Sequence, residues 1–152
     1  MKKKLLALVM ALASVVAVTG CEKKKDNNEE KKVEENKVLN CTFDLPGEVI
    51  KLTFDYNGDK YTKLTMVDTT AYNNEKDAKK AVTSKKEIIE SYKGLEYTIT
   101  NNNSNTIETY VFNVNEMDDK AKELYEQSFK EFTNKNFNEL KDFLTNNKYK
   151  CE

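Results

Sequence analysis

The chain has no histidine, no arginine and no tryptophan, and a single proline, among its 152 residues. Without histidine there is no Ser-His-Asp triad, no Cys-His pair and no imidazole metal site. Without arginine there is no bidentate guanidinium clamp for phosphate, carboxylate or guanine. All 25 cationic side chains are therefore lysine, set against 26 Asp and Glu. A composition rich in Lys and Asn and free of Arg is what an AT-rich bacterial genome encodes. Long apolar runs are also scarce: the one present, Leu5 to Val18, is about 14 residues, short of the roughly 20 that a membrane-spanning helix needs.

That run follows Lys2, Lys3 and Lys4 and ends in small residues, the layout of a secretory signal. Its last four residues, Val18-Thr19-Gly20-Cys21, resemble the lipobox of bacterial lipoproteins. The resemblance implies cleavage between Gly20 and Cys21 and a diacylglycerol on the Cys21 thiol. Each buried CH2 contributes about 0.8 kcal/mol, so one acyl chain holds only marginally and two anchor stably. Residues 1–20 are thus expected to be a signal peptide and Cys21 the first mature residue. Removing them leaves 22 Lys against 26 acidic residues, and a mildly acidic chain argues against nucleic acid as a partner.

After Cys21 comes "EKKKDNNEEKKVEENK", in which Val33 is the only apolar residue. Such a segment buries too little surface to offset ordering entropy and is expected to be a disordered tether over 21–37. Its root-mean-square reach of roughly 20–25 Å would lift a folded domain clear of lipid headgroups. The remaining residues, 38–152, are expected to form one α+β domain.

Within that domain "EVIKLTFDYNGDKYTKLTMVD" alternates Ile50, Leu52, Phe54 and Tyr56 with polar residues, which predicts a half-buried strand. Asn57-Gly58 predicts a tight hairpin, with Leu64 and Met66 as core residues of the second strand. A helix is predicted next, capped by Asn73 or Asn74 and carrying Ala78, Ala81, Val82, Ile88, Ile89 and Tyr92 at helical spacing. A second hairpin is predicted from Leu95, Tyr97 and Ile99, the turn "NNNSN", and Tyr110, Phe112 and Val114. Helices are predicted to follow. One is capped by Asp118 and bears Ala121, Leu124, Tyr125, Phe129 and Phe132; the other has Asn136 and Glu139 in a capping box. The expected order is ββαββα(α): a four-stranded, mostly antiparallel sheet of two hairpins covered on one face by two or three helices, with a brief extra strand at Cys41–Leu45 as an option.

The stretches "GEVIKLTFDYNGDKYTKLTMVDTTAYNNEKDAKKAV", "YKGLEYTI" and "TIETYVFNV" resemble the YehR-like family of small bacterial lipoproteins. The matching parts are the hairpin with Gly58-Asp59-Lys60, the helix after it, and the strand start at Gly94–Tyr97. They lie between about residues 45 and 118, roughly half of the chain. The family implies an α+β domain behind a lipid anchor. It carries no established activity, so no catalytic residue is transferred.

Cys41 and Cys151 lie near the two ends of the folded region. Outside the cytoplasmic membrane such a pair reads as a disulfide, with two free thiols as the alternative; CxxC spacing is missing, which argues against a redox pair. The acidic pairs Glu29-Glu30 and Glu34-Glu35 fall in the tether, and Asp118-Asp119 reads as helix capping. "DYNGDK" reads as a turn and not a calcium loop. No cofactor, metal site or nucleophile–base pair is indicated. The expectation is a lipoprotein on the outer face of the cytoplasmic membrane that binds a peptide, a glycan or another envelope protein, the alternative being an assembly partner in an envelope complex, and not an enzyme. Exposed tyrosines gathered in one place would supply the binding surface.

Overall fold

The single proline closes the first hairpin. In the computed structural model, which describes residues 36–86 and 92–152, Pro46-Gly47 links β1 (Asn36–Leu45) to β2 (Glu48–Asn57). Gly47 takes φ 83°, the left-handed conformation that the residue after proline adopts in a type II turn. Gly58-Asp59 turns β2 into β3 (Lys60–Ala71), one residue beyond the pair expected from sequence, with Gly58 at φ 64°. Helix α1 (Glu75–Lys86) follows, and Asn74 accepts a hydrogen bond from the Asp77 amide at 2.9 Å. Then β4 (Leu95–Asn102) and β5 (Asn105–Asn113) form a hairpin about Asn103-Ser104. The chain finishes with α2 (Asp119–Phe129), a 3-10 turn at Lys130–Phe132, α3 (Phe137–Asn146) and β6 (Lys150–Cys151).

The fold is α+β, but the sheet has six strands in the order β4-β5-β3-β2-β1-β6, not four, and every neighbouring pair is antiparallel. The two added strands are β1, whose second half is the optional strand expected at Cys41–Leu45, and β6, which was not expected. β1 begins next to a charged segment, and only Leu39, Cys41 and Phe43 alternate inward, so its first half reads as linker until β2 pairs with it. β6 is two residues long, too short for any periodic signal. It is fixed by the Asn40–Glu152 backbone pair, at 3.1 and 2.9 Å, and by a disulfide between Cys41 and Cys151. Cys41 and Cys151 face each other in the non-hydrogen-bonded pair beside it, where antiparallel Cα atoms approach most closely; here they are 4.1 Å apart.

Register lines up the inward side chains in rows across β1, β2, β3, β5 and β4. The lowest row is Leu39, Phe54, Leu64, Phe112 and Leu95, all buried. Above it stand Cys41, Leu52, Met66, Tyr110 and Tyr97, then Phe43, Ile50, Asp68, Glu108 and Ile99. Tyr61 breaks the expected alternation. Thr62 is the extra residue of a β-bulge opposite Asp55 and Tyr56, and this turns the Tyr61 ring inward against Phe54, 5.2 Å between centroids.

All three helices meet this one face. α2 lays Tyr125 and Phe129 on Phe112, at 5.5 and 5.4 Å between centroids. From α3, Phe137 meets Tyr56 at 5.5 Å, and Leu140 and Leu144 are fully buried. α1 sits over β4 and β5 with Ala78 buried; Ile88 and Ile89 lie outside the described residues. The cap assignments hold: Asp118 accepts from the Ala121 amide at 2.9 Å, and Asn136 and Glu139 form the capping box.

Gly94 sits before β4 at φ 79°, and a Cβ there would lie 2.5 Å from the Met117 backbone nitrogen. Gly47 has similar φ but open space around it. Gly94→Ala should therefore cost about 2–4 kcal/mol, and Gly47→Ala only about 1 kcal/mol. Urea midpoints of the two variants measure the difference, and equal losses would show that crowding at Met117 does not matter.

Candidate functional site

The inward face changes character toward the β1–β2 turn. Its third row carries Asp68 and Glu108 as direct cross-strand neighbours, and the fourth carries Glu48, Thr70 and Thr106. Glu108 is 2% exposed and Thr106 is 0% exposed. Charged residues are almost never buried this deeply without partners.

Glu108 has its partners. Lys85 reaches down from α1, seven residues and two turns after Ala78, to donate to Oε1. The hydroxyls of Tyr97 on β4 and Tyr110 on β5 donate to Oε2, at 3.1 and 3.2 Å. The two rings lie 4.8 Å apart and wall the carboxylate. Burial, and then the charge of Glu108, hold both phenols well above the ordinary tyrosine range, so they stay protonated donors. Burial works against the Lys85 charge, but the hydrogen bond and charge of Glu108 outweigh it and the ammonium is held above its usual value. Three of roughly four acceptor directions on Glu108 are filled.

Asp68 lies opposite, with Thr70 donating to Oδ1 at 3.4 Å. Burial, followed by the charges of Glu48 and Glu108, raises its carboxyl to about 6, against the pull of Lys85 and the Thr70 hydroxyl. Thr106 Oγ1 has no hydrogen-bond partner. Beside the cluster an open depression of roughly 280 Å³ is lined by Lys86, Tyr97, Thr98 and Ile99. The arrangement suits holding a cation against a carboxylate between phenols.

The sequence singled out none of Lys85, Asp68, Glu108 or Thr106, although the signal was present. The same parity that places Tyr110 and Phe112 inward places Glu108 and Thr106 inward, and Leu64 and Met66 lead to Asp68. The residues it did single out are scattered. Gly20, Cys21 and the expected tether up to residue 35 lie outside the described residues, and its last two residues, Asn36 and Lys37, begin β1. Cys41 and Cys151 are joined at the opposite sheet edge. Asp118 caps α2, and Asp59 sits in the β2–β3 turn. The tyrosines do not collect in one exposed patch: Tyr56, Tyr61 and Tyr125 are core, Tyr97 and Tyr110 hold Glu108, and Tyr149 stacks on Phe43 at 4.8 Å. Among the described residues no group of three His, Cys, Asp or Glu could hold a metal, and no helix is long and apolar enough to cross a membrane.

No protein-family model and no curated protein matches the chain. Two solved structures share its fold. One is the NMR structure of Escherichia coli YehR, 18% identical, covering 78% of this chain and 91% of that one with a TM-score of 0.56. The other is the NMR structure of a Streptococcus pneumoniae protein, 13% identical, covering 93% of this chain and 99% of that one with a TM-score of 0.57.

The raised Asp68 carboxyl makes stability depend on pH. Its folded value, about 6, exceeds its ordinary 3.8, so the folded state binds the proton more tightly. That stability is full below the unfolded value and is lost as pH rises through the folded one. The protein should be more stable at pH 5 than at pH 7.5. Asp68→Asn should remove this slope and stabilise the protein at pH 7.5 by about 1 kcal/mol after allowance for solvent screening. Thermal melts at the two pH values check it, and an unchanged slope in the variant would refute it.

Proposed function

We propose that the chain belongs with the YehR-like lipoproteins: an extracytoplasmic protein held at the outer face of the cytoplasmic membrane by a diacylglyceryl group on Cys21. The domain that follows the tether is a binding module for a peptide, a glycan or another envelope protein, and not an enzyme. One observation from the fold carries the reading. The disulfide ties the first strand of the domain to its last, across 110 residues of chain. Disulfides persist in oxidising compartments, which is where the leader and the lipobox at Cys21 would deliver the chain. The shared fold with YehR adds to the motif resemblance. The occupied acceptors of Glu108 favour binding over catalysis, because little of the carboxylate remains for a reacting group.

A role in assembly has one observation in its favour. β4 closes one edge of the sheet and pairs with β5 alone among the described strands. An eight-residue edge strand is a template for another chain.

Fractionation of a bacterium expressing the full chain tests the anchor. The wild-type protein should partition into detergent, lack residues 1–20, carry the mass of a lipidated Cys21 and show a disulfide-linked Cys41–Cys151 pair. Cys21→Ser should lose the acyl mass and leave the detergent phase. Recovery of wild-type protein from cytosol, unacylated and with its first twenty residues intact, overturns the reading.

A further inference from the structure

α1 is attached to the sheet differently from the other helices. α2 buries Ala121, Tyr125 and Phe129, and α3 buries Leu140 and Leu144. Among the described residues of α1 only Ala78 is fully buried, with Ala81 and Val82 half-buried beside it. Among the described residues its polar hold on the sheet is the Lys85 ammonium on Glu108.

The surface beneath α1 is correspondingly polar. A primary ammonium has three N–H donors, and Lys85 spends one on Glu108 Oε1. On the other carboxylate oxygen, Oε2, stand the phenol oxygens of Tyr97 and Tyr110, which donate to Glu108 and keep lone pairs of their own. Asp68 lies directly across the strand pair, and Glu48 adds its charge to Asp68. Thr106 stands two residues from Glu108 on the same face, completely buried and without a hydrogen-bond partner, a condition that costs about 1–3 kcal/mol. A helix that served only as a cover would rest on apolar residues. This one covers a carboxylate walled by phenols and faced by a second carboxylate, Asp68.

We propose that this surface is a binding site for a primary ammonium group, such as the side chain of a lysine in a partner peptide, and that Lys85 is its built-in occupant. An incoming ammonium takes the place of Lys85 on Glu108 and frees α1 from the sheet. The proposal rests on reading the domain as a binding module and supplies its ligand class. It does not depend on the lipid anchor.

The test uses the full chain purified in detergent micelles, with n-butylammonium as the probe and butan-1-ol as its uncharged counterpart. In Lys85→Ala, n-butylammonium should bind saturably, raise the melting temperature by several degrees and shift the ring resonances of Tyr97 and Tyr110. Butan-1-ol should do neither, and adding Glu108→Gln should abolish the response. In the wild-type protein the amine should speed hydrogen exchange at Ala78–Val82 several-fold and leave β2 and β3 unchanged, a readout that stands even where the variant fails to fold. The proposal is overturned by wild-type α1 exchange that ignores the amine, by an equal response to butan-1-ol, or by a response that survives loss of the Glu108 charge. Any of these with Cys21 still lipidated removes the ammonium site and leaves the anchored reading standing.

Discussion

The row Leu39, Phe54, Leu64, Phe112 and Leu95 holds the rest of the structure in place. Five strands contribute one residue each, and each is almost entirely shielded from water. Burying a side chain of this size contributes about 1.5–3 kcal/mol, so the row is a large share of what opposes chain entropy. It also fixes register, because a slip of one residue in any strand would turn that strand's apolar set toward solvent. The one place where alternation fails, the bulge at Thr62, supports the row: it adds Tyr61 to the ring cluster of Phe54, Tyr56 and Phe132 and brings its hydroxyl to that of Tyr125. Burial holds both hydroxyls above the ordinary range, so neither brings a charge into the core.

Two rows further along the same strands the same geometry buries Glu108 and half-buries Asp68. The backbone offers both sets of positions equally; only side chains make one end of the face a hydrophobic core and the other a polar cluster. That difference carries over to the helices. α2 and α3 lie where dispersion and apolar burial hold them, and α1 lies where a lysine must answer a carboxylate. Exchanging a buried ion pair for apolar residues is often neutral or stabilising, so the pair is weak evidence of selection for stability alone. The described residues of α1 contribute one ion pair, one buried alanine and the half-buried Ala81 and Val82, fewer apolar anchors than α2 or α3, and weakly anchored elements lie at the low-stability end of a fold.

Local signals in the sequence were sound, and of the long-range ones the Cys41–Cys151 disulfide was legible while the pairing of β6 and the inner polar cluster were not. Asp118, Asn136 and Glu139 cap the helices they were expected to cap, because capping involves residues three apart. The inward faces of β2, β4 and β5 follow parity and were legible for the same reason. β1 and β6 were obscured because their strand character comes from partners, Glu48–Asn57 for one and Cys41-Thr42 for the other. The Lys85–Glu108 cluster was missed for a different reason. Reading parity through the apolar residues alone ends the inward face at Tyr110, and a glutamate two positions earlier is discarded as polar when its position says that it is buried.

The disulfide and the ammonium cluster stand at opposite edges of the sheet, one on β1 and β6 and the other under α1 on β4 and β5. Closing a loop of 110 residues gives roughly 4–5 kcal/mol in the chain-entropy argument. That gain falls on β1, the strand by which the domain follows residue 35. A load reaching Asn36 is borne by the β1–β2 ladder and by a covalent bond to the C-terminal strand, several strands from α1. The β1 edge of the sheet is therefore covalently reinforced, and the β4–β5 side carries the Lys85–Glu108 ion pair under α1.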